Sequence, residues 1–121
     1  MWSEVDHETF FHQNYAITAD ADALDIIRNF VSAKLEYSKF DNVNLRDNDL
    51  SLISLNHSQI IDSDLTNVSF KNSDLSFSSI VNSDLSGANL EGANLQGAIL
   101  DNVILANANL KCLNHPICLD K

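Results

Sequence analysis

From Leu35 onward, every fifth residue of the chain is large and apolar: Leu35, Phe40, Leu45, Leu50, Leu55, Ile60, Leu65, Phe70, Leu75, Ile80, Leu85, Leu90, Leu95, Leu100, Leu105 and Leu110. The sixteen positions run without an insertion and take twelve of the sixteen leucines. Two positions before each, the residue is small or β-branched: Ala33, Ser38, Val43, Ser58, Ser63, Val68, Ser73, Ser78, Ser83, Ala88, Ala93, Ala98, Val103 and Ala108. Asn48 and Ile53 are the larger exceptions. No single regular element explains this spacing. Five residues of α-helix advance about 500°, which scatters the leucines around the barrel. On one continuous strand, a step of five reverses the face each time. The chain must therefore turn once per five residues, keeping each leucine inside.

The turn itself is visible two positions after the apolar residue. Eleven repeats carry Asn, Asp or Gly there: Asn42, Asp47, Asp62, Asn67, Asn72, Asn82, Gly87, Gly92, Gly97, Asn102 and Asn107. Gly and Asn tolerate positive φ, which one position of a type II turn requires. Five repeats depart from this rule, with Tyr37, Leu52, His57, Phe77 and Cys112 in the slot.

The runs Ser-Asp-Leu-Ser-Gly (83–87), Ala-Asn-Leu-Glu-Gly (88–92) and Ala-Asn-Leu-Gln-Gly (93–97) make the chain resemble the pentapeptide-repeat family, whose motif is A(D/N)LXX. The resemblance covers residues 33–112 and implies a right-handed quadrilateral β-helix with four pentapeptides per coil. The fold class expected is an all-β solenoid of about four coils, roughly 20 Å tall at about 4.8 Å per rung. Residues twenty apart then stack, as in Leu35, Leu55, Leu75 and Leu95. The expected organisation is an N-terminal arm (1–17), a capping α-helix (18–32), sixteen repeats (33–112) and a C-terminal cap or tail (113–121). The helix is read from Thr18 or Asp20 as N-cap, acids in the first turn, and a face of Leu24, Ile27 and Val31 flanked by Ile26 and Phe30. At the other end Leu113, Ile117 and Leu119 are expected to close the last coil or meet a second molecule. The inward serines are read as small core residues bonded to backbone, because no His–Asp pair stands at repeat spacing to activate them.

The rule-breaking turn residues supply the candidate surface. Tyr37, His57 and Phe77 are twenty apart and are expected to stack along one outward edge, with Ile61 and Val81 beside the following face. Exposed apolar ridges mark interfaces. Cys112 and Cys118 bracket His115 and Pro116. A local disulfide, two reduced thiols and a Cys-x2-His-x2-Cys metal site all compete, the last weakened by having three ligands. Some pentapeptide-repeat proteins carry terminal disulfide brackets, which the resemblance permits for this pair. His7 and His12 lie among Glu4, Asp6 and Glu8, in a polar terminal segment that reads as a solvated arm. That segment also holds Trp2, Phe10, Phe11 and Tyr15, an aromatic content that favours packing on the tower or across a dimer.

Charge then limits function. The net charge is −10 over 121 residues, from 17 acids and 7 Lys+Arg. Half of it, −5, lies in residues 1–32 and half in residues 33–112. Such a chain repels nucleic acid. No apolar run approaches the roughly 20 residues of a membrane helix, and no basic-then-apolar leader opens the sequence. The expectation is a non-enzymatic protein-interaction module, with no catalytic, metal or cofactor residues and with an unknown protein or a second copy as partner. The alternative is a DNA-mimic inhibitor or protector of gyrase, a role that some family members have. Localisation is expected to be cytoplasmic, in a bacterium such as a cyanobacterium, with periplasm or thylakoid lumen as the alternative.

Overall fold

The computed structural model of the chain describes residues 16–18 and 34–119. Five short strands, β1 (Ala16–Thr18), β2 (Lys39–Asp41), β3 (Gln59–Ile61), β4 (Ser79–Val81) and β5 (Ile99–Asp101), form one parallel sheet in chain order. From β2 to β5 the register advances in steps of twenty, aligning Phe40, Ile60, Ile80 and Leu100. Three further faces are knitted by single-residue parallel bridges. Face 1 runs Lys34, Ser54, Asp74, Asn94; face 3 runs Asn44, Asp64, Asp84, Ile104; face 4 runs Asp49, Ser69, Asn89, Asn109. With the sheet as face 2, the chain is a right-handed quadrilateral β-helix, the hand that parallel crossovers take.

The period of five has a hydrogen-bond explanation. Each central residue donates upward, as Leu35 N–H does to Ser54 O at 2.7 Å and Leu75 N–H to Asn94 O at 2.8 Å. On three corners the carbonyl of that residue accepts the N–H three residues on, for example Leu35 O from Ser38 at 3.2 Å. Positive φ at the third residue of such a turn is type II geometry. All eleven Asn, Asp and Gly turn residues have φ between 54° and 73°. The Asp or Asn before the leucine also has a task. Its Oδ1 accepts the N–H two residues on, as Asp74 does from Ser76 at 3.0 Å and Asn94 from Gln96 at 3.1 Å. This is the local bond by which Asx side chains favour turns.

The core is a stack of four inward columns. Thirteen of the sixteen apolar repeat residues, Leu35 through Leu95, are at most 1% exposed. The last three, Leu100, Leu105 and Leu110, are only partly buried, because among the described residues no full coil covers them. Most inward serines bind backbone as expected. Ser58 Oγ donates to Leu35 O at 2.9 Å and accepts Ser38 N–H at 3.2 Å, tying two coils together. Ser73 does the same for Leu50 O and Ile53 N–H. Ser38 Oγ is the exception, buried without a partner.

Both ends depart from the sequence expectations. Thr18 pairs with Asp41 as the last residue of β1, so no helix begins there and the arm–helix boundary at 17/18 falls inside a strand. The step from β1 to β2 is 23 residues (Ala16↔Lys39), three more than a coil, and this extra length hid the strand from the five-residue count. The rest of the expected helix, 19–32, lies outside the described residues, as do the remainder of the arm and the tail residues 120–121. At the C-terminal end Leu113, not residue 114, pairs with Asn94. The step is nineteen residues, and Cys112 therefore leaves the turn slot and occupies an inward position, 6% exposed.

Candidate interaction surface

Four bulky residues adopt the left-handed conformation that the corners require: Tyr37 (φ 64°), Leu52 (63°), His57 (62°) and Phe77 (58°). A side chain with a β-carbon pays for this conformation, of order 1–2 kcal/mol per residue. Three of the four recover energy by stacking. The Tyr37 and His57 rings lie 4.8 Å apart at 13°, and the His57 and Phe77 rings 5.2 Å apart at 19°. The twenty-residue coil brings the rings to the spacing of the backbone rungs, and they form a continuous ladder along the corner between faces 1 and 2. Phe77 closes the ladder by lying over Gly97, where a β-carbon would overlap its ring. Glycine is required at this level both for φ (+71°) and for space. The ladder stays open to solvent, with Tyr37 55% and Phe77 51% exposed.

Ile61 and Val81 form a second outward column. They lie on the far side of face 2, one above the other and half-buried. The outward column Lys39, Gln59, Ser79 and Ile99 stands between them and the ring ladder. The sequence count gave each column correctly, but adjacency of columns depends on which residues of a strand point out. Leu52 occupies the preceding corner, exposed and without a stacked ring, since Asn72 follows it.

The C-terminal end is clasped. Cys112 and Cys118 form a disulfide, with Cα atoms 5.0 Å apart. His115 lies inside the bracket, its Nε2 3.0 Å from Ala98 O, while its Nδ1 faces Ile117 N–H at 3.2 Å. A carbonyl only accepts, so Nε2 carries the hydrogen and Nδ1 is the acceptor. Leu119 N–H then reaches Leu110 O at 2.7 Å. Ile117 packs on the core, whereas Leu113 and Leu119 face outward. No group of three or more metal-ligating side chains occurs among the described residues, nor is any helix there long and apolar enough to cross a membrane.

Acids gather at one other place. A shallow groove of about 360 Å³ between faces 2 and 3 is lined by Asp62, Ser63, Asp64, Asn82, Ser83, Asp84, Asn102 and Ile104. The Ser86 hydroxyl, and then the Ser86 N–H, hold Asp84 below the usual carboxylate range; slight desolvation opposes them and Arg46 adds a small pull. The folded-state value is depressed, so this stabilisation is present above the ordinary carboxylate pKa and is lost as pH falls through the depressed one. Ser86→Ala is accordingly expected to lower the urea midpoint at neutral pH by a small amount. The difference from the parent should vanish once Asp84 is protonated in both states. Equal midpoints at neutral pH would remove this role for Ser86.

A β-helix with a five-residue turn, inward leucine columns and Asx-bonded corners defines the class of parallel repeat solenoids. The model of the family described as pentapeptide repeats matches in eight copies over residues 29–67, 49–92 and 83–114. The chain belongs to the pentapeptide-repeat family. No curated protein matches it. Among solved structures it is similar to QnrB1, a plasmid-mediated fluoroquinolone resistance protein, at 22% identity and TM-score 0.41, over 81% of this chain and 60% of that one. It is also similar to alr5209 of Nostoc Pcc 7120, a pentapeptide repeat protein, at 23% identity and TM-score 0.42, over 79% and 81% of the two chains. Rfr23, a pentapeptide repeat protein from the cyanobacterium Cyanothece 51142, gives 27% identity and TM-score 0.31, over 67% and 63%. The chain thus spans less than two thirds of QnrB1 and of Rfr23.

Proposed function

We propose that the chain is a non-enzymatic protein-interaction module that binds its partner along the Tyr37–His57–Phe77 corner. The observation that carries this reading is the stack itself: three rings held half-exposed at positions where the backbone conformation penalises them. Aromatic residues concentrate binding energy at protein interfaces. The flanking face supplies the polar side chains of Gln59 and Ser79 beside the ladder. The test is affinity capture from the source organism with the parent and with Tyr37→Ser/Phe77→Ser. A partner retained by the parent and by Leu52→Ser, but lost by the double variant, is the expected result. Equal capture by all three would sink the reading.

The second reading, a DNA-mimic protector of gyrase, draws on the column Asp64–Asp84 with Asp62 beside it. The column is short: Ile104 stands above it, and Arg46 lies 3.9 Å from Asp64 below. A homodimer remains part of the proposal, since Ile99, Ile104, Leu113 and Leu119 are exposed around the C-terminal end. For localisation, the Cys112–Cys118 bond supports an oxidising compartment, the periplasm or a lumen, over the cytoplasm.

A further inference from the structure

His57 is the middle rung of the aromatic ladder and the rung whose charge changes near neutral pH. Histidine titrates between about pH 5 and 8, whereas phenylalanine carries no titrating group and tyrosine ionises near about pH 10. The His57 ring lies between the other two, 4.8 Å from Tyr37 at 13° and 5.2 Å from Phe77 at 19°. Both faces of the imidazole are covered, so it meets solvent or a partner through its edge. Among the described residues neither ring nitrogen has a hydrogen-bond or ion-pair partner. The charges around it are few. At its own level its neighbours are Asn56 and Gln59, both uncharged. One level up stand Ser76, Ser79 and Asp74, and the Asp74 Oδ1 is taken by the Ser76 hydroxyl at 2.6 Å. One level down, Lys34, Glu36, Lys39 and Asp41 flank Tyr37 and cancel in charge. Covering an imidazole removes water from it, which disfavours the charged form. The two ring faces attract an imidazolium, but they flank His57 with or without a partner and so leave the difference unchanged.

We propose that His57 makes binding at the ladder proton-dependent: the Tyr37–His57–Phe77 corner takes an uncharged aromatic or aliphatic segment of a partner protein while the imidazole is neutral, and releases it when the imidazole is protonated. The occupant is uncharged because the middle of the ladder is an uncharged strip, with no charged group beside His57 at its own level to meet a charge on the partner. This inference rests on the ladder being a contact surface and adds the condition under which the contact is made. Binding favours the neutral form, so affinity is complete above the histidine range and falls as pH drops through it.

The experiment uses the full chain and two probes with one ring system: methylindole, which is uncharged, and indoleacetate, which adds a carboxylate. Nuclear magnetic resonance of the Tyr37, His57 and Phe77 rings reports binding at about pH 8 and about pH 5, either side of the histidine range. Circular dichroism confirms the β-helix at both. Methylindole is expected to bind the parent about tenfold more weakly at the lower pH, the factor for a displacement of about one unit in a protonation equilibrium. His57→Phe and His57→Gln cannot take up the proton and are expected to bind equally at both. His7, His12 and His115 remain in both variants and control for their own titration. Equal binding to the parent at the two pH values overturns the proton dependence and leaves the contact surface standing. No response of the ladder rings to methylindole, in the parent or in either variant, overturns both. A pH dependence that survives in both variants overturns the role of His57. Tighter binding of indoleacetate than of methylindole at the higher pH assigns an acidic partner, and ladder signals that follow protein concentration assign a second copy; either overturns the proposal.

Discussion

Phe70→Ala is expected to cost about 3–5 kcal/mol of folding stability, the range for removing a fully buried ring. Phe70 is completely buried, in the column Leu50, Phe70, Leu90, Leu110. The cost depends on how far the neighbours can close the gap. Here they cannot move far, because the backbone rungs above and below are hydrogen-bonded at 2.8–2.9 Å: Phe70 N–H to Asn89 O, Leu50 N–H to Ser69 O, and Asn89 N–H to Val68 O. Urea denaturation followed by circular dichroism measures the loss. Phe77→Ala is the matched control. It is the same residue type seven positions on, but on the surface, where each stacked pair is worth about 0.5–1.5 kcal/mol. A loss below about 1 kcal/mol for Phe70 would contradict the packed column.

Opening the disulfide is expected to have the second largest effect, and to have it at one end only. Closing a loop of six residues accounts for roughly 2 kcal/mol in the chain-entropy description. Without the bond, the last turn keeps the His115–Ala98, Leu119–Leu110, Leu113–Leu95 and Asn114–Asn94 hydrogen bonds but loses its covalent closure. Cys112→Ser/Cys118→Ser should therefore accelerate amide exchange at Leu95, Leu113 and Leu119, whose N–H groups donate to or within this cap. Exchange at Leu45 and Leu65 should stay as in the parent, since each coil of a solenoid contacts only its neighbours. Uniform acceleration across the tower, or none anywhere, would show that the clasp does not act as a local cap.

Much of this architecture could be counted from the sequence, and the places where counting failed have physical causes. A turn every five residues leaves a period that neither a helix nor a continuous strand produces, so the core columns, the corners and the ring ladder follow from position alone. Position holds only while the step is constant. Cys112 was expected at a corner, and one missing residue moved it inward, a change of face that the identity of the side chain does not announce. The strand Ala16–Thr18 was missed because its three residues carry no repeat and its step to β2 is three residues long of a coil. Ile61 and Val81 stack as counted, on the side of face 2 away from the ladder, with the column Lys39, Gln59, Ser79 and Ile99 between. The local bond from Asp or Asn to the N–H two residues on was legible only as a preference; its geometry supplies the reason.

The constant step makes the tower behave like a text read in frames of twenty. A duplication or loss of twenty residues adds or removes one coil and leaves every column intact. A change of five between His57 and Phe77 turns everything above it by one corner, so that Phe77 would no longer stand over His57, while Gly97 would still stand over Phe77. The nineteen-residue step from Asn94 to Leu113 is out of frame at every level. It turns Cys112 inward to its disulfide partner, so the frame that every lower column shares is broken at that level.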